Sequence, residues 1–127
     1  MGKPLRQVDV ISFVAGAAVE RGDVLQLDAT GNYPKAIKTA ADTDVVLGVA
    51  LSDAASGQNV PVSVARGIYT LRAGAAIAEE AKVAPTTDGE IKTAASADEA
   101  FGVALEAASA ADDEIRVLAF MGTQLLA

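Results

Sequence analysis

Ile37-Lys38-Thr39-Ala40-Ala41-Asp42-Thr43-Asp44-Val45-Val46-Leu47-Gly48-Val49-Ala50-Leu51 lies over Ile91-Lys92-Thr93-Ala94-Ala95-Ser96-Ala97-Asp98-Glu99-Ala100-Phe101-Gly102-Val103-Ala104-Leu105 at an offset of 54, with ten of the 15 pairs identical. Three of the ten are Ala pairs, which an Ala-rich chain supplies cheaply. For the other seven, chance at average usage gives about one or fewer. Upstream, Val10-Ile11-Ser12-Phe13-Val14-Ala15-Gly16-Ala17-Ala18-Val19 lies over Ile68-Tyr69-Thr70-Leu71-Arg72-Ala73-Gly74-Ala75-Ala76-Ile77 at an offset of 58. The matches fall in order along most of the chain, which is the mark of two copies of one supersecondary unit.

Copy one is placed at residues 10–67 and copy two at 68–122, with 1–9 as an N-terminal arm and 123–127 as a tail. The 127 residues include 28 Ala and 14 Val against 10 Leu, 6 Ile and 3 Phe. A copy of fewer than 60 residues with so few bulky apolar side chains cannot bury enough surface alone. The two are therefore expected to share one core as pseudo-symmetric halves of a single β domain.

Short runs read as strands: Val10 to Val14, Asp23 to Leu27, Val60 to Val64, Gly67 to Leu71, Ile115 to Phe120, and the two Gly-Val-Ala-Leu segments. Val60-Pro61-Val62-Ser63-Val64 alternates strictly and puts three Val on one face. Pro61 cannot donate to a ladder, which points to an edge strand or an outward position. Turn signals recur at Gly22-Asp23, Gly31-Asn32, Ser56-Gly57 and Asp88-Gly89. Ala73 to Ala78 reads as a loop, because its partner segment runs into the Gly22-Asp23 turn; Ala94 to Ala100 has room for one helical turn. The expected class is all-β: a small barrel or sandwich of short strands built from an internal duplication, with an extended N-terminal arm.

Composition removes whole classes of chemistry. There is no Cys, His or Trp. That leaves no Ser-His-Asp triad, Cys nucleophile, imidazole base or thiolate metal site. A net charge of -7 and five scattered aromatic residues do not suit a nucleic-acid surface. No run of 18 apolar residues offers a membrane span, and residues 1–9 do not read as a secretory signal. Asp42, Asp44 and the run Asp112-Asp113-Glu114 lack the ligand alternation of a calcium loop and read as loop carboxylates. Glu79-Glu80 has no partner base, and Lys38 and Lys92, matched in the two Ile-Lys-Thr segments, read as inherited surface positions. No phosphate-binding glycine pattern occurs, and no cofactor is expected. Small duplicated barrels with a Gly-Asp turn also occur in biotinyl and lipoyl carrier domains, the alternative reading. Here, however, the two methionines, Met1 and Met121, adjoin no Lys.

Residues 1–9 carry Lys3 and Arg6 against Asp9, one net positive charge, so the rest carries eight net negative charges. Lys3, Pro4, Leu5, Arg6, Val8, Val10 and Phe13 are the candidates for contact with a partner or a neighbouring copy, the apolar members as anchors.

Val19-Glu20-Arg21-Gly22-Asp23-Val24, Gly48-Val49-Ala50-Leu51-Ser52-Asp53-Ala54-Ala55-Ser56-Gly57-Gln58-Asn59-Val60-Pro61-Val62, Gly67-Ile68-Tyr69 and Gly102-Val103-Ala104-Leu105-Glu106-Ala107-Ala108 resemble the capsid decoration (cement) proteins of tailed bacteriophages. The resemblance spans about Val19 to Leu118 and departs at Glu80-Ala81, where the family often has Gly-Asp. It implies a β-rich body without catalytic activity that sits on the outer surface of the virion, after synthesis in the host cytoplasm. The implied partner is the major capsid protein, and the implied assembly is a homotrimer near threefold sites. Neither nucleic acid nor membrane is an expected partner.

Overall fold

The computed structural model describes residues 9–28, 31 and 34–119. Ten strands follow in order: β1 (Val10–Ala15), β2 (Val24–Asp28), β3 (Lys35–Lys38), β4 (Gly48–Ala50), β5 (Asn59–Ser63), β6 (Gly67–Arg72), β7 (Lys82–Pro85), β8 (Ile91–Thr93), β9 (Gly102–Ala104) and β10 (Glu114–Ala119). The chain is all-β, as expected, with one 3-10 turn at Thr87–Gly89. Ala94 to Ala100 holds a turn and no helix, and Ala73 to Ala78 is the expected loop.

The first five strands close into a barrel in the order β1-β3-β2-β4-β5, and the last five form a sheet in the order β6-β10-β9-β7-β8. Renumbered by repeat, the second order is the first with its closure reduced to one bridge. β1 pairs β3 in parallel through Val14 and Ala15, whereas only Ala73 bridges Ile91 on the corresponding side of β6. The expected arm and tail lie outside the described residues, except for Asp9, whose carbonyl accepts from the Val64 N–H.

Each half has its own apolar interior, but the second is completed by the first. Inside the barrel, Leu25, Ala36, Ala50, Val60 and Val62 pack with Ala15, Val19 and Ala54. On the outside of the barrel, Val24, Val46 and Val49 join Leu71, Val83, Ile91, Phe101, Ile115 and Val117 of the second sheet. Alternation along β2 accounts for this: Val24 points outward and Leu25 inward, and both are fully buried. In place of one common core there are two clusters: one inside the barrel, and one in which Val24, Val46 and Val49 of the first half join the second sheet.

One expectation resolves to its second alternative and another is corrected. β5 is an interior strand, paired with both β1 and β4, and Pro61 takes the outward position between the inward Val60 and Val62. Pro61 is tolerated because the β4 pairing reaches only Val62 and Ser63; beyond it, Leu51 donates its N–H to the Pro61 carbonyl. The Ile-Lys-Thr identity is one residue out of structural register. Leu25 faces Gly48 and Val83 faces Gly102, so Leu25 and Val83 are equivalent. Leu25 also faces Lys38, but Val83 faces Thr93, not Lys92. Ile91 therefore takes the fully buried place of Ala36, and Thr93 is exposed while Thr39 is buried. A slip of one residue reverses the face of every side chain in a strand, so the matched lysines are not equivalent.

Candidate functional site

The carboxylates singled out by the sequence organise turns. One Asp44 carboxylate oxygen accepts from the N–H groups of Ala40 and Ala41 and from Gln26 Nε2. Asp98 holds the Ala95 N–H in the equivalent turn. Asp113 accepts from the Ser109 N–H and Oγ and the Ala110 N–H, which together hold its carboxyl below the ordinary carboxylate range. Among the described residues no group of three or more Asp, Glu, His or Cys could hold a metal ion.

The junction of the halves is polar at one end. Asp23 is 1% exposed and accepts from the Glu20 N–H. Arg72 Nη2 lies 3.4 Å from one of its oxygens and Lys38 Nζ 3.7 Å from the other. Arg72 also donates from Nε to Glu90 at 2.8 Å and from Nη2 to the Asp88 carbonyl. Burial pushes the Asp23 carboxyl up, against the opposing pull of the Glu20 N–H, Lys38 and Arg72. Lys92 bonds Asp42 across the same junction at 2.7 Å, which lowers the Asp42 carboxyl and raises the ammonium. Thr39 adds a hydroxyl bond to the Thr86 carbonyl. Asp42 and Lys92, read separately as surface groups, are thus brought together as a clasp between the halves.

The contact candidates divide. Lys3, Pro4, Leu5, Arg6 and Val8 lie outside the described residues. Val10 and Phe13 are on β1, on opposite faces: Phe13 packs on the barrel interior and Val10 is 49% exposed. The equivalent of Val10 in the second half, Ile68, is 63% exposed. Leu51 and Leu105, which end the two Gly-Val-Ala-Leu segments, are also equivalent and also exposed. Apolar side chains thus face solvent at two matching places in each half, and three of the four were not singled out by sequence. For Leu51 and Leu105 the signal was available: the same apolar residue directly follows the Gly-Val-Ala strand in both copies.

Between the halves runs a cleft of about 450 Å³. Arg21 and Gly22 of a turn and the β4 end at Leu51 form one wall, and Tyr69, Thr70 and Arg72 of β6 form the other. The Tyr69 hydroxyl anchors β6 to the first half through Ser63 Oγ and the Ala65 carbonyl.

A family model described as phage cement protein matches residues 5–119. The chain belongs to the phage cement protein family. Membership gives it a structural role in association with the phage capsid, and a place in the virion. No curated protein matches the chain. Among solved structures, the crystal structure of the N base of head fiber gp8.5 in bacteriophage phi29 is similar, with a TM-score of 0.73 at 18% identity over 87% of this chain and 92% of that one. At that identity the likeness is one of fold. The cement family and the resemblance read from the Gly-Val-Ala-Leu segments agree, and the family match extends beyond the residues that carried the resemblance.

Proposed function

We propose that this cement protein binds the outer surface of the phage head, makes no chemical change there, and braces neighbouring copies of the major capsid protein. The observation that carries the reading is the repetition of exposed apolar residues at equivalent positions of the two halves: Val10 with Ile68, and Leu51 with Leu105. A body whose halves are fixed to each other by a shared apolar cluster offers two similar contact points at a set separation. That suits a lattice of repeated subunits. The acidic remainder of the surface keeps such a protein soluble and disfavours nucleic acid.

Stabilisation follows from mass action. A ligand that binds the intact shell and not its ruptured state adds its binding free energy to the shell, about 2.7 kcal/mol at a hundredfold excess over Kd. Contact with two or three subunits also holds each at a high effective concentration relative to the others. Residues 1–9 are proposed to order against the capsid or an adjacent copy on binding, and the assembly is proposed to be a trimer.

The test is sedimentation of purified protein with expanded heads, followed by heat challenge of the decorated heads. The reading requires saturable binding and a higher rupture temperature. Protein that stays in the supernatant, or binds without moving the rupture temperature, refutes it. Removal of residues 1–9 is expected to weaken head binding without unfolding the body, although it deletes the bond from the Val64 N–H to the Asp9 carbonyl.

A further inference from the structure

We propose that the cleft between the halves receives an extended, acidic segment of the capsid partner, which adds a strand to the free edge of β6. This deepens the head-binding reading and rests on it.

β6 ends its sheet, with β10 on one side and a single bridge at Ala73 on the other. The direction of its polar groups follows from the ladder. Ala73 donates its N–H to the Asp113 carbonyl at 2.8 Å and so faces the β10 side. Alternation turns Leu71, Tyr69 and Gly67 the same way, and Ile68 and Thr70 away. The Thr70 carbonyl opens on the cleft, 3.6 Å from where a Cβ on Gly22 would lie. Among the described residues no hydrogen bond crosses from Ile68 or Thr70 to the barrel. Free main-chain groups on a sheet edge are what an added strand pairs with.

Charge selects the occupant. Arg21 lines the cleft, is exposed, and its guanidinium makes no ion pair with a described residue. Arg72 lies on the opposite wall, a quarter exposed and partly engaged by Asp23 and Glu90. Glu114 is the one acidic group in the lining. Asp23 and Glu90 offset Arg72, and Asp53 accepts from the Arg21 N–H, so the Arg21 guanidinium is the group left to recognise a ligand, and it matches a carboxylate in bidentate geometry. The exposed Leu51 beside it offers an apolar neighbour. Residues 1–8 of a second copy carry Lys3 and Arg6, the wrong sign for Arg21.

The chain has no Cys, so Leu51→Cys supplies a single thiol for a photo-crosslinker. On heads, the crosslink is expected on a capsid peptide containing Asp or Glu. A crosslink to residues 1–8 of another copy, to a basic segment, or none from protein that is bound to heads, overturns the proposal. In parallel, Arg21→Glu is expected to lower head affinity about tenfold and Arg21→Lys about threefold or less, since the first reverses the charge and the second keeps it. Both should melt with the unmodified protein, because the Arg21 side chain is exposed. Equal occupancy by Arg21→Glu and the unmodified protein overturns this proposal alone. Failure of the unmodified protein to sediment with heads overturns the head-binding reading and this inference together.

Discussion

Lys82 stands in the second half where Val24 stands in the first. Val24 faces Val49 across β2 and β4, and Lys82 faces Val103 across β7 and β9. Val24 is fully buried against the second sheet, whereas Lys82 is exposed. The duplicated face is therefore used once: the first copy spends it on the second, and the second turns it to solvent behind a charge. Val24→Lys places an ammonium without a partner in the shared cluster and is expected to cost about 3–5 kcal/mol. Lys82→Val is expected to stay within about 0.5 kcal/mol. Urea denaturation of both variants checks the asymmetry, and similar effects at the two sites would contradict the shared cluster.

Asp23 and Asp113 are expected to act on stability with opposite pH signs. Burial holds the Asp23 carboxyl above its ordinary 3.8, so the folded chain binds that proton more tightly than the unfolded chain. Its contribution is complete below the ordinary value and is lost as pH rises through the folded one. Asp113, held low by Ser109 and Ala110, contributes above its ordinary value and loses that contribution as pH falls through the lowered one. On acidification the unmodified protein should gain stability relative to Asp23→Asn and lose it relative to Asp113→Asn. Denaturant midpoints from about pH 2 to about pH 7 give both slopes.

Much of this architecture can be read from residues. The Gly48/Gly102 and Val60/Ile115 correspondences place β4, β5, β9 and β10, because close packing keeps those residue types in both copies. β3, β7 and β8 escape such reading. Lys35-Ala36-Ile37-Lys38 fully buries only Ala36, and the Ile91–Thr93 strand buries only Ile91, so neither shows a run of alternating apolar residues. The identity of Ile-Lys-Thr in both copies even misleads, since the loop of copy one is a residue longer between strand and Asp cap. The cleft is less legible still. Arg21 and Arg72 line one cleft only through the packing of one half on the other, which no local pattern encodes.

Glu80 is held at φ 71°, the position at which the first half has Gly22 at φ 90°. The turn geometry has been kept although the glycine has not, and a side chain in the left-handed region costs about 1–2 kcal/mol. Glu80→Gly relieves this and also loosens the unfolded chain, so a net gain of about 0.5–1 kcal/mol is expected. Gly22→Ala should destabilise. Thermal melts of the two variants should move in opposite directions.

The glycines that open the two Gly-Val-Ala-Leu strands are required by distance. A Cβ on Gly102 would lie 2.7 Å from the Leu118 carbonyl oxygen and 3.0 Å from Val117 Cγ1. A Cβ on Gly48 would crowd the Ser63 carbonyl and lie 2.6 Å from Val62 Cγ1. In both halves the obstacle includes backbone of the neighbouring strand, which a rotamer change cannot clear. Gly48→Ala and Gly102→Ala are each expected to cost about 1–3 kcal/mol. Gly57→Ala separates this steric cause from conformational preference, since nothing lies within 4 Å of a Cβ there while its φ is 88°. Its loss should come from the backbone alone, about 1–2 kcal/mol. If amide exchange shows the β4–β5 and β9–β10 pairings loosened in Gly48→Ala and Gly102→Ala but intact in Gly57→Ala, close strand approach is the reason these two glycines recur.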